Sequence, residues 1–209
     1  MAILSYILTA LGAYLLGSIP FGFLMAKAKG VDIRAVGSGN IGATNAMRVL
    51  GKPAGIFVLL MDVLKGYAAV WLCSVLVKKF NANTDVETLR IVAGICAVLG
   101  HNYTCWLRFK GGKGIATTAG VYLALAPWAL LIALGVFIVA LLATRIVSVA
   151  SMSAAVALPA TVWIMTPNNL FLGIVTTALG ALAIYKHKSN IQRLVAGTEN
   201  RFGKKKEAK

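Results

Sequence analysis

Three polar segments interrupt an otherwise apolar chain, and each carries residue types suited to holding an anion. The first reads GSGNIGATNAMR (Gly37–Arg48) and contains three glycines. Glycines let successive backbone N–H groups converge into a nest around an anion. Ser38, Gly39, Asn40, Thr44 and Asn45 add neutral donors, and Arg48 offers a forked cation suited to phosphate. Thr44 and Arg48 are four apart, so on a helix they share a face. A solvated loop that merely caps the next helix would need one such turn, not a run of them.

The second segment, RFKGGKG (Arg108–Gly114), sets three cations among three glycines at the start of a helical run. Backbone donors, the positive end of a helix and Lys113 together would make a phosphate cradle. It is not a Walker A loop, because Leu107 and Gly114 stand where that motif needs glycine and Ser or Thr. An ordinary basic loop accounts for Arg108 and Lys110 but not for Gly111, Gly112 and Gly114, so Lys113 is singled out, with Thr117 one turn further on. In the third segment His187, Asn190 and Arg193 recur every three residues along one helical face. Arg193 also fits a basic side chain that snorkels to the membrane surface; Asn190 does nothing for anchoring. The six acidic residues are scattered and the two histidines stand apart, so no metal or cofactor is expected. There is no GxSxG elbow and no Ser/His/Asp set.

The elements that must position these segments are membrane helices. The chain has 209 residues, 59% hydrophobic and 13% charged, far more apolar than a soluble domain of this length. Apolar runs at Ala2–Ala26, Ala54–Val77, Leu89–Leu107, Val147–Met165 and Leu170–Tyr185 approach or exceed the length needed to cross a bilayer. Strand-like alternation is absent, so the spans are helical. The first run is too long for a secretory signal and lacks a basic start, which reads as a retained span. Cys73, Cys96 and Cys105 lie in apolar runs without a CxxC and read as packing residues. Asp62 and Lys65, one turn apart in an apolar helix, predict a structural contact, because an unpaired charge there is costly. His101 reads as a helix-packing hydrogen bond.

Charge placement predicts topology. Lys27–Lys52 is net +4, Arg108–Lys113 holds three basic residues and no acidic one, and Lys186–Lys209 is net +6, whereas Lys78–Thr88 is balanced. The three basic segments are therefore assigned to the cytoplasmic side. An even number of crossings must then separate Lys113 from Lys186, which requires the long run Ile115–Ala143 to break at Pro127. The expectation is an all-α polytopic protein of seven transmembrane helices, with the N-terminus outside and the C-terminus cytoplasmic. Residues 1–190 would form one transmembrane domain and 191–209 a basic cytoplasmic tail, with Lys204–Lys206 either an electrostatic anchor to anionic lipids or part of a disordered tail. All three polar segments would then share one face, where a water-soluble phosphorylated ligand can reach the bilayer edge.

The patterns GSGNxGxxNxxR, GHxxxxxxxFxGGKGxAT and HxxNxxRL, in that order at Gly37–Arg48, Gly100–Thr117 and His187–Leu194, resemble the bacterial membrane acyltransferases that move an acyl chain from acyl phosphate to glycerol 3-phosphate. The resemblance also covers DVLKG at Asp62–Gly66 and extends over nearly the whole chain. It implies transfer to the 1-hydroxyl, giving 1-acyl-glycerol 3-phosphate (lysophosphatidic acid) and phosphate, the opening step of bacterial phospholipid synthesis. It implies seven transmembrane helices in the bacterial cytoplasmic membrane with the active site facing the cytoplasm. The family's essential serine and arginine fall on Ser38 and Arg48, its phosphate-loop lysine on Lys113, and its histidine and asparagine on His187 and Asn190. The HxxxxD pair of other glycerol-phosphate acyltransferases is absent: Trp106 and Gln192 stand five after His101 and His187. Glycerol 3-phosphate, acyl phosphate and a bilayer with anionic lipids are the implied partners; no nucleic acid and no obligate protein partner is expected. The alternative class is a transporter of an organic phosphate, although transporters usually place their site near the midplane on paired broken helices.

Overall fold

The computed structural model describes residues 2–79 and 85–201, so Lys204–Lys206 and the middle of the Lys78–Thr88 loop lie outside the described residues. Among the described residues every regular element is helical: α1 (Ala2–Ser18), α2 (Phe21–Ala28), α3 (Ala43–Leu50), α4 (Lys52–Lys79), α5 (Val86–Asn102), a single 3-10 turn (Cys105–Leu107), α6 (Ile115–Leu125), α7 (Pro127–Thr144), α8 (Val147–Met165), α9 (Leu170–Lys186) and α10 (Lys188–Val195). The chain divides into two compact units, Met1–Pro127 and Trp128–Lys209.

Among the described residues, four stretches are long and apolar enough to cross a membrane: Ile3–Ala28, Lys52–Leu76, Pro127–Thr144 and Val147–Met165. The pair α9 and α10, bent by 52°, makes a fifth if it counts as one span. Large apolar side chains such as Ile3, Leu8, Trp128, Leu142 and Ile164 stand exposed on their helices, as lipid-facing residues do.

The break expected at Pro127 is present: α6 ends at Leu125 and Pro127 opens α7. Proline lacks the N–H that would continue the ladder but suits a first helical position. The first apolar run, read as one helix, is interrupted the same way at Pro20. There the Ile19 carbonyl takes the Lys65 ammonium at 2.9 Å. The run Leu89–Leu107 stops being α-helical at Asn102, where Tyr103 turns to φ −134°.

In the first unit, glycines let helices approach backbone to backbone, the usual device where lipid supplies no hydrophobic drive. A methyl group on Gly17 or Gly100 would overlap the backbone of α5 or α1, and one on Gly66 or Gly120 that of α6 or α4. The α1–α5 contact is tied further by Ser18 Oγ donating to Gly100 O (3.3 Å) and Thr104 Oγ1 to Ser18 O (2.6 Å). At the far end of the short helix α6, Arg90 of α5 donates from Nη2 to Ala124 O at 2.6 Å. That bond satisfies a carbonyl which the break at Pro127 leaves without a helical partner.

Candidate active site

Between α2 and α3 the chain forms an irregular strap, and Asn45 holds its shape. Buried in the first turn of α3, its Nδ2 lies 3.3, 3.2 and 2.9 Å from the carbonyls of Ile33, Val36 and Asn40, while its Oδ1 accepts from Ser38 N at 2.8 Å. Asn40 Oδ1 accepts from Gly42 N at 2.8 Å, a local Asx turn. Gly37 and Gly39 have φ of +63° and +71°, open to glycine at no steric cost. Ser38, Gly39, Thr44 and Arg48 are exposed around this scaffold. Asn45, expected among the donors to a ligand, has its amide occupied by the strap itself. An open hollow of about 310 Å³ beside the strap is lined by Phe23, Lys27, Gly30, Val31, Asp32 and Arg34, and holds none of the residues singled out above. Hydrogen bonds from Arg34 hold the Asp32 carboxyl down at about 2.

The second motif packs on the same core. Leu107 from the 3-10 turn joins Ile33 and Ile41 of the strap, Ala46 of α3, Ala26 of α2 and Val58 of α4 in one buried cluster. The strap and the glycine loop therefore share a foundation within the first unit. The loop folds back on the end of α5: Gly111 N donates to Asn102 O (3.2 Å) and Gly112 N to His101 O (3.0 Å). Side chains on the loop would collide there, Gly111 with the His101 carbonyl, Gly112 with the His101 ring and Gly114 with the Asn102 amide. Gly114, at φ +82°, caps α6 and leaves Lys113 half-buried at its mouth. In the first turn of α6, Thr117 is fully buried and its hydroxyl has no hydrogen-bond partner among the described residues. An unsatisfied buried hydroxyl costs roughly 1–3 kcal/mol, which a ligand oxygen would relieve.

Beneath the loop lie the charges expected to pair. Asp62 and Lys65 of α4 meet at 2.7 Å, and Lys65 Nζ lies 2.9 Å from His101 Nδ1, so His101 does join α5 to α4 by a hydrogen bond.

The third motif belongs to the second unit. His187 sits at the junction of α9 and α10, buried, its Nδ1 2.7 Å from Ala183 O; a carbonyl only accepts, so Nδ1 carries the hydrogen. Asn190 Nδ2 and Arg193 Nε each donate to Glu199 at 2.7 Å, and Ser148 Oγ of α8 donates to the same carboxylate at 3.0 Å. Burial pushes the Glu199 carboxyl up, but the hydrogen bonds from Asn190, Arg193 and Ser148, with the Arg193 charge, outweigh it and hold the group below the usual glutamate range. Glu199 and Ser148 were not legible as site residues. The available signal was a lone carboxylate six residues after Arg193, and counting it into the net charge of the segment hid it.

An all-α integral membrane protein that gathers glycine loops, cations and neutral donors defines a class that handles phosphorylated substrates at a bilayer. A family model described as Glycerol-3-phosphate acyltransferase matches residues 7–197, and the chain belongs to that family of enzymes. The glycerol-3-phosphate acyltransferase of Desulforamulus reducens is 46% identical over 207 residues, covering 99% of this chain and 100% of that protein. That of Geobacter metallireducens is 52% identical over 196 residues, covering 94% and 97%. Two crystal structures of PlsY (YgiH), an integral membrane glycerol 3-phosphate acyltransferase, are similar throughout. The glycerol 3-phosphate form has a TM-score of 0.83 at 42% identity, covering 95% of this chain and 96% of that one. The lysophosphatidic acid form has a TM-score of 0.81 at 41% identity with the same coverage. Membership in an enzyme family replaces the transporter alternative.

Proposed function

We propose that this acyltransferase moves an acyl chain from acyl phosphate to the 1-hydroxyl of glycerol 3-phosphate, releasing lysophosphatidic acid and phosphate. The observation that carries the reading is the cradle of the second motif. Gly111, Gly112 and Gly114 bring backbone against α5, Lys113 stands half-buried at the mouth of α6, and the Thr117 hydroxyl behind it is unsatisfied. Such a cradle suits a phosphate. The acceptor and product are supported by the bound forms of the two PlsY structures, whose ligands differ by one acyl group. The donor rests on the motif resemblance and on the supply of cations, Arg48 in the strap and Lys113 in the loop.

In this mechanism the glycerol hydroxyl oxygen attacks the acyl carbonyl carbon, an ester C–O bond forms, and the bond to the donor phosphate breaks. The departing phosphate takes the hydroxyl proton, so no protein base is required. Arg48 and Lys113 hold phosphate charge, with Gly39, Asn40, Thr44 and the glycines of the loop as further donors; Ser38 orients the reacting groups. His187 and Asn190 carry the catalytic roles implied by the resemblance, Asn190, like Ser38, orienting the reacting groups, and Arg193 contacts substrate, on a turn fixed by Glu199. The protein works by positioning and electrostatics. The active site faces the cytoplasm of a bacterial cell, seven helices cross its membrane, and residues 1–190 act as one domain with a basic segment held by anionic lipids.

The test is phosphate release by purified protein given palmitoyl phosphate and glycerol 3-phosphate, separately and together. Release should require both, with lysophosphatidic acid formed, and should fall by at least about 100-fold in Lys113→Ala, since a preorganised charge at the reacting group is worth that much. Undiminished turnover in Lys113→Ala would overturn the assignment.

A further inference from the structure

The loop's shape is set from below by a buried chain of charges that the reaction itself does not use. Lys65 is 3% exposed, Asp62 2% and His101 5%. The Lys65 ammonium forms an ion pair with Asp62 Oδ1 at 2.7 Å and hydrogen bonds with the Ile19 carbonyl and His101 Nδ1, each at 2.9 Å; His101 Nδ1 is 3.6 Å from the same Asp62 oxygen. An ammonium cannot accept, so His101 Nδ1 must be the acceptor and the ring proton sits on Nε2. That Nε2 edge is the part of the ring that a methyl on Gly112 would strike, and the His101 carbonyl already takes the Gly112 N–H. One residue thus grips Gly112 by backbone and by ring, and its ring is fixed by a salt bridge on another helix. Lys65 ties the same assembly to the break between α1 and α2.

We propose that Asp62, Lys65 and His101 form a lock that holds the Gly111–Gly114 loop in its anion-binding shape, with His101 neutral and protonated on Nε2. His101 is a positioning residue, acting through Gly112. The proposal rests on the reading of that loop as the phosphate cradle, and it predicts that damage to the lock weakens binding of glycerol 3-phosphate more than it slows the chemical step.

Two measurements test it. In protein with isotope-labelled histidine, NMR of the ring nitrogens gives two pairs of signals, one pair from each of the two histidines, and His101→Asn identifies the pair that belongs to His101. The His101 signal should be the neutral Nε2-protonated tautomer, and it should lose that fixed state in Lys65→Met. An Nδ1-protonated or doubly protonated ring in the wild type would overturn the lock whether or not the enzyme uses acyl phosphate. The second measurement is a double-mutant cycle. His101→Asn keeps an acceptor near Lys65 but vacates the space beside Gly112. Alone it should raise KM for glycerol 3-phosphate about 10-fold, the worth of roughly one hydrogen bond, with a much smaller change in kcat. Gly112→Ala alone should be worse, and adding His101→Asn to it should recover part of the loss. Additive losses, or an effect on kcat alone, would refute the coupling. Absence of all turnover in the wild type would instead overturn the proposed donor and leave the tautomer result standing.

Discussion

At position 199 one carboxylate receives a hydroxyl, an amide and a guanidinium drawn from α8 and α10. Replacing Glu199 by Gln keeps the size but removes the charge and puts an amide NH2 in place of one acceptor oxygen. The expected cost is about 1.5–3 kcal/mol, the range for hydrogen bonds to a charged group, measurable as a lower Tm in detergent. The pH sign follows from the lowered carboxyl: its stabilisation is fully present above the ordinary glutamate pKa and fades as pH falls toward the folded value. The stability gap between wild type and Glu199→Gln should therefore shrink as pH is lowered through and below the ordinary glutamate range; a gap that stays constant on acidification would refute the assignment. At this scale the sequence was most informative where residue type states a need. An aspartate and a lysine one turn apart in an apolar helix have to meet, and they do at 2.7 Å. It was least informative for Asn45, whose type suits a ligand donor and a strap organiser equally; only the positions of three carbonyls decide where the amide goes.

Among elements, α6 is tied at both ends: eleven residues, with the glycine loop at one end and the Arg90 bond at the other. Its seat on α4 depends on Gly66 and Gly120, where any side chain meets backbone. Gly120→Ala should cost about 1–3 kcal/mol, as overpacking does, and should lower activity by moving the loop that α6 begins. Gly135→Ala in α7, with nothing within 4 Å, is the control and should be neutral or slightly stabilising, since alanine is the better helix former. Equal thermal shifts in the two variants would contradict this account. Pro127 was readable as a break because it interrupts a run too long for one helix. Pro20 was not, because its run remains span-length on either reading. The early end of α5 is a tertiary effect, as the Asn102 and His101 carbonyls go to glycines of the following loop.

For the whole molecule, the balance of charge across loops makes the strongest statement the sequence offers about orientation. A single cysteine in a background without Cys73, Cys96 and Cys105 tests it. Glu87→Cys should react with an impermeant maleimide added outside intact cells, and Lys110→Cys only after the membrane is opened. Labelling of both from outside would overturn the proposed topology. The all-α membrane class was fully legible, since hydropathy decides it. The number of crossings was not fixed by apolarity alone, because α5, α6 and α9, at 17, 11 and 17 residues, are shorter than the about 20 residues that a span needs.

The carboxylate at 199 also bears on timing. Ser148 precedes Glu199 by 51 positions, and Asn190 by 9. A ribosome makes residues in order, so the link between α8 and this turn can close only after α9 and α10, which lie between Ser148 and Glu199 in the chain, have both been made. The turn bearing His187 is therefore tied to α8 by the last of these groups to be synthesised.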